Sequence, residues 1–154
     1  MISNYLFSLL AIGISAVLTI LFSRGRFLSY FDFPAAIITV VLPFMYQWAL
    51  FGPGGIKTAF TAAFRKNLSM EEMEGSLLFF RAYSKIIWLS VLLPVVIGAV
   101  AILKWVTPDD YTLLGPNFAA ALMSLLYAVV LHAFVILPYS VILKRRVIAL
   151  NIEI

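Results

Sequence analysis

The chain has 154 residues, 64% of them hydrophobic and 12% charged, with a formal net charge of +4. That balance argues against a soluble globular domain, because the apolar residues fall into several long runs parted by short polar breaks. The absence of cysteine and the single histidine exclude a disulfide framework, a thiolate metal site, a cysteine nucleophile and a zinc cluster. The cations sit at the ends of apolar runs, where they fit orientation signals and lipid headgroups without any need for nucleic acid.

The first run, Tyr5 to Phe22, carries no charge, is long enough to span a bilayer, and ends at Ser23-Arg24-Gly25-Arg26. A cleaved signal peptide is the alternative, but such a peptide opens with a basic region and no Lys or Arg precedes Arg24. Ser8, Ala11, Ser15 and Thr19 fall on one helical stripe, where small side chains let a neighbouring helix approach. The second run, Pro34 to Phe51, contains Pro43, which removes a backbone donor and is expected to bend the helix; Pro53-Gly54-Gly55 is expected to break it. Gly52-Pro53-Gly54-Gly55 lacks the Lys-Ser/Thr of a phosphate loop and reads as a turn.

The one substantial polar segment follows, from Ile56 to Lys85. Ile56, Phe60, Ala63 and Phe64 share a face, as in a helix lying along a membrane surface. Ser69 followed by Glu72 forms a capping box and predicts a new helix from about Met70 to about Val106, roughly 55 Å long. That exceeds a bilayer core, so the third carrying Glu71, Glu72, Glu74, Arg81 and Lys85 is expected to protrude into water before Ile86 to Leu103 cross, with kinks at Pro94 and Gly98. Asp109-Asp110 reads as a solvated cap in a Thr-Pro loop rather than a catalytic carboxylate pair. The last helix starts at Gly115-Pro116, with proline at the tolerated first-turn position, and runs to Lys144-Arg145-Arg146.

The expectation is therefore an all-α polytopic membrane protein, one domain over 1–154, with four transmembrane helices at about 5–22, 34–51, 86–105 and 116–143 and a cytoplasmic segment at about 53–85. Helices three and four are long and extend into the cytoplasm. Lys57, Arg65, Lys66, Arg81, Lys85, Lys144, Arg145 and Arg146 share one side, against Arg24, Arg26 and Lys104 on the other, which places both termini in the cytoplasm. Lys104-Trp105, Trp88, Tyr83, Trp48, Tyr46 and Tyr139 read as interfacial anchors. Arg65, Lys66, Lys144, Arg145 and Arg146 are candidates for contact with anionic lipid or an acidic partner, although topology alone accounts for them.

Asn117, Ala120, Ala121, Ser124, Ala128 and His132 share an arc of roughly 120° on the last helix. Such a small, polar stripe serves helix packing in lipid, with His132 neutral and hydrogen-bonded to a carbonyl or hydroxyl on an adjacent helix. The alternatives are a protonatable group lining a channel and a side chain snorkelling from a lipid-facing position.

The stretch Gly115-Pro116-x-x-Ala119-x-Ala121-Leu122-x-Ser124-x-Leu126-Tyr127, continuing to Leu131, Leu137-Pro138 and Lys144, resembles the last membrane helix of the MotA/TolQ/ExbB family, which reads approximately GPxxAxALxTTLYGxLxANxxFLPxAxKL. Leu93-Pro94-Val95-Val96-Ile97-Gly98 followed by Ile102-Leu103 is similar to that family's third helix, and Phe31-Asp32-Phe33-Pro34 is a weaker echo of the start of its second. The resemblance implies a stator-like A-type subunit in a bacterial inner (cytoplasmic) membrane, assembling as a homopentameric ring around a B-type partner (MotB/TolR/ExbD-like, with a single span) that supplies the protonatable aspartate of an ion-driven motor or proton channel. It implies no cofactor, no metal and no enzymatic reaction.

The residues agree in that no Asp or Glu lies inside any of the four apolar runs, so an intramembrane proton relay needs a carboxylate from another chain. They depart where the family lines its ion path with threonines, since Val95 and Leu125 stand at those positions and Ser124 is the nearest hydroxyl. Ala128 replaces a glycine, His132-Ala133 replaces an Ala-Asn pair, and the large rotor-contacting domain shrinks to about thirty residues. Two readings stay open: the ion-driven ring, and a non-conducting pentameric scaffold of the same fold that has lost the threonine-lined path. A small membrane enzyme or transporter is a third, with neither an intramembrane carboxylate nor a nucleophile-base constellation to support it.

Overall fold

The computed structural model describes residues 10–11, 13–15, 17–18, 21, 30–65, 68–105, 107, 111–112 and 114–152. Their regular structure is helical, and among them three helices are long and apolar enough to cross a membrane. Helix α1 covers Phe33–Ala62 and α2 covers Met70–Trp105. Helix α3 is built from Leu114–Leu131, a π segment His132–Ile136, and Leu137–Ile152. The span expected at 5–22 falls largely outside the described residues. Those described between 10 and 21 are helical, and a Cβ placed on Gly13 would stand 3.8 Å from the Phe134 ring of α3.

Asp32 starts α1, its Oδ1 accepting from the Ala35 amide at 3.1 Å, with Pro34 in the first turn where its missing N–H costs nothing. The bend expected at Pro43 takes the form of a π segment, Ile37–Val41, immediately before Leu42-Pro43. The Leu42 amide donates to the Ile37 carbonyl, five residues back. A proline ring presses on the carbonyl four residues earlier, and a wider turn relieves that pressure. The same grammar recurs in α3, where the π segment His132–Ile136 precedes Leu137-Pro138 and the Leu137 amide donates to the His132 carbonyl.

These wide turns set which side chains face inward. In a straight α-helix four residues advance about 400°, so a face spaced by four drifts by about 40° each turn. A π turn fits in an extra residue and takes up that drift. Hence Ala35, Thr39, Pro43 and Gln47, each four apart, are all buried on one face of α1.

The break expected at Pro53-Gly54-Gly55 is confined to Gly52, whose φ of 64° and ψ of 173° lie in a region open essentially to glycine alone. Pro53 then restarts the helix from its first turn. The restarted half, Pro53 to Ala62, turns its apolar face to protein: Ala59 and Ala62 are buried, and Phe60 meets Phe79, Phe80 and Tyr139 edge to face at 5.8, 5.4 and 5.3 Å. The face expected to lie along a membrane surface is thus taken up by α2 and α3, apart from Phe64, which is 72% exposed.

The capping box closes the turn into α2. The Ser69 amide donates to Glu72 Oε2 at 3.1 Å, and the Glu72 amide donates to Ser69 Oγ at 3.2 Å. Helix α2 then runs through Pro94 without a break. The core sits where the first half of α2 meets the end of α1 and the second half of α3, with Phe79, Phe80, Ile87, Ala128 and Leu143 fully buried.

Candidate functional site

Three places gather the polar groups. The first is the seam between α2 and the first half of α3. A Cβ on Gly98 would stand only 3.2 Å from the Asn117 carbonyl and 3.8 Å from the Ala121 Cβ, so glycine there permits a close approach. Along the expected stripe, Ser124 and Ala128 are fully buried, Asn117 and Ala121 partly so, and Ala120 is exposed. Ser124 does not offer its hydroxyl outward: Oγ donates to the Ala120 carbonyl of its own helix at 3.3 Å. Val95 and Leu125, the positions matching the family's threonines, are 39% and 40% exposed and face away from the protomer's interior.

The second is an open groove of about 590 Å³ between the middle of α2 and the π segment of α3. His132 is half-buried at its edge, Nδ1 lying 3.4 Å from the Ser84 hydroxyl of α2, in a bond whose direction follows the imidazole tautomer. Trp88 packs beside it, ring centroids 5.9 Å apart. Arg81, Lys85 and Ser140 also line the groove. Sequence spacing singled out His132 but not these companions. Arg81, Ser84 and Lys85 at three and four apart, and His132, Ile136 and Ser140 at four, are legible as faces, yet which faces meet depends on helix register and on the π turn.

The third is the inner face of α1. Thr39 Oγ1 and both Gln47 side-chain polar atoms are buried without a hydrogen-bond partner among the described residues. Leaving such a group unsatisfied costs about 1–3 kcal/mol, so this face carries a strain that an apolar helix would not. The signal was present as the spacing Thr39, Pro43, Gln47 inside an apolar run. Nearby, the Tyr127 hydroxyl accepts from the Asp32 amide at 2.7 Å and donates to the Tyr30 carbonyl at 2.9 Å, clamping the start of α1 to α3.

The basic residues divide. Arg65 is exposed and lies 3.7 Å from Glu72, a weak solvent-facing pair. Lys144 and Arg145 are exposed on α3, and Lys66 lies outside the described residues, as do Asp109 and Asp110. Arg146, expected as a partner or lipid contact, is held within the chain. Its guanidinium donates to the Ala62 carbonyl at 3.0 Å and to the Arg65 carbonyl at 2.6 Å, satisfying carbonyls at the end of α1 where the helix dipole favours a cation. Lys104 Nζ stands 5.0 Å over the Trp105 ring, a cation-π pair at the other end of α2. No group of three His, Cys, Asp or Glu side chains that could hold a metal occurs among the described residues.

The chain matches no protein-family model, no curated protein and no solved structure.

Proposed function

We propose that this chain is an A-type ring subunit of a MotA/TolQ/ExbB-like ion-driven motor or proton channel, five copies surrounding a B-type partner that supplies the protonatable aspartate. The observation that carries the reading is the outward placement of Val95 and Leu125. In an A-type ring the ion path runs between the subunit and its partner, so the residues that match it must be uncovered in a single protomer. The register in which Gly98 meets Asn117 and Ser84 meets His132 sets these two positions within about one turn of each other. No carboxylate lies in α1 or α3, and those of α2 cluster at Glu71, Glu72 and Glu74 near its first turn, so the titrating acid has to come from another polypeptide.

One observation favours a second reading, the non-conducting pentameric scaffold. Both path positions are apolar, and Ser124, the nearest hydroxyl, is fully buried and bonded to its own helix. Purification in mild detergent followed by native mass spectrometry separates the readings. The motor reading expects five copies with a smaller single-span protein bound; five copies alone, with no proton flux after reconstitution into liposomes, favour the scaffold. A stable monomer or dimer overturns both.

A further inference from the structure

We propose that the groove between α2 and α3 binds the phosphate of an anionic membrane lipid. Its polar lining is Arg81, Ser84 and Lys85 from α2 and His132 and Ser140 from α3, and none of the lining residues is acidic. Two fixed positive charges, the Ser140 hydroxyl and the one proton that the Ser84–His132 pair keeps free match a phosphate, which accepts several hydrogen bonds at once. Arg81 and Lys85 are exposed and make no ion pair or hydrogen bond among the described residues, in contrast to Arg65 and Arg146. Their charge is uncommitted.

The rest of the groove argues for a lipid over a free anion. Leu78, Leu137 and Val141 form its apolar wall, a surface that a glycerol backbone and the first carbons of an acyl chain would cover and that inorganic phosphate would leave bare. Lys85 is also the last charged residue before the uncharged stretch Ile86 to Leu103, and Trp88 stands one turn further on, so the groove opens where headgroups meet hydrocarbon. A volume of about 590 Å³ accommodates a headgroup with part of its glycerol. The inference rests on the apolar helices crossing a membrane and is independent of whether the chain forms a ring.

The test is native mass spectrometry of the intact protein in mild detergent, titrated with phosphatidylglycerol, with phosphatidylcholine, or with inorganic phosphate. Phosphatidylglycerol is expected to bind at one equivalent per chain, at least tenfold more tightly than phosphatidylcholine, and to resist displacement by millimolar inorganic phosphate. The double variant Arg81→Gln with Lys85→Gln is expected to weaken that binding about 25-fold, at roughly a fivefold loss for each surface cation. Lys57→Gln, which removes an exposed cation outside the groove, is expected to leave it unchanged. Ser140→Leu fills the groove without altering charge and is expected to displace the lipid as well; it keeps the test decisive if the double variant fails to fold, as read by circular dichroism. Equal loss in Lys57→Gln, equal binding of phosphatidylcholine, or displacement by inorganic phosphate overturns the proposal.

Discussion

The two ends of α2 are built on different terms. From Met73 to Tyr83, side chains on several faces of the helix are buried, with Met73, Ser76, Leu77, Phe79, Phe80 and Tyr83 all covered by α1 and α3. Phe80 stacks on Tyr139 at 5.1 Å and meets Phe79 edge to face at 5.1 Å. Beyond Val91 only Gly98 is buried among the described residues, while Ile97 is 57% and Leu103 85% exposed. One end is therefore packed by its own chain, like a small water-soluble core, and the other leaves its apolar side chains uncovered, as a membrane-crossing helix does. Leucine content does not separate them, because Leu77 and Leu78 stand at one end and Leu92, Leu93 and Leu103 at the other; what separates them is whether another segment of the chain folds back to cover them.

Substitutions at the two ends sharpen the contrast, measured as unfolding free energy in mild-detergent micelles titrated with SDS and followed by circular dichroism. Phe79→Ala is expected to have the largest effect, a loss of about 3–5 kcal/mol, because Phe79 is fully buried and touches Phe51, Phe60, Phe80 and Tyr83. A loss below about 1 kcal/mol, within the range of an ordinary surface change, would mean that the packed end is no tighter than the open one. Gly52→Ala should cost about 1–3 kcal/mol by forcing a Cβ into a glycine-only conformation, although nothing lies within 4 Å of that Cβ. Restoring stability there by shortening a neighbouring side chain would contradict a purely backbone cause.

Smaller effects follow. Arg146→Gln should cost about 1.5–2 kcal/mol through the two charge-assisted bonds to the Ala62 and Arg65 carbonyls, and Arg146→Lys should recover only part of it. Ser69→Ala should cost about 1 kcal/mol as the capping box opens. Ile97→Ala, at the open end, should change the same measurement by less than about 0.5 kcal/mol, since detergent already surrounds that side chain. A loss comparable to Phe79→Ala would show that α2 is covered there in solution and would erase the contrast.

Local chemistry made much of this fold legible. Ser69 and Glu72 announce the start of α2, Gly115-Pro116 marks the start of α3 to within one residue, and three of the four runs expected to span are helices able to cross a membrane among the described residues. What stayed hidden depends on how segments far apart in sequence meet. Arg146 reads as a surface cation until α1 and α3 are side by side, and the face of Ile56 and Phe60 reads as membrane-bound until Phe79 and Tyr139 are known to cover it. The groove around His132 was half legible: one polar residue stood out, but its partner Ser84 is 48 positions away and no spacing rule connects them. Proline has no single local outcome, since Pro43 and Pro138 each follow a π segment whereas Pro94 sits in continuous helix.

The π segments have a consequence for how far this chain tolerates change in length. Each adds one residue to a turn, and so sets the rotational phase between the halves of its helix. Deleting a single residue from 132–136 would let α3 wind evenly while leaving Ser124 and Ala128 close to their present phase relative to Leu143, because the wide turn already holds its extra residue without an extra step of about 100°. Both halves of α3 would then keep their seam with α2, so a residue is removed within these five positions at less cost than in the ordinary turns on either side, where the same deletion would swing one half by about 100°.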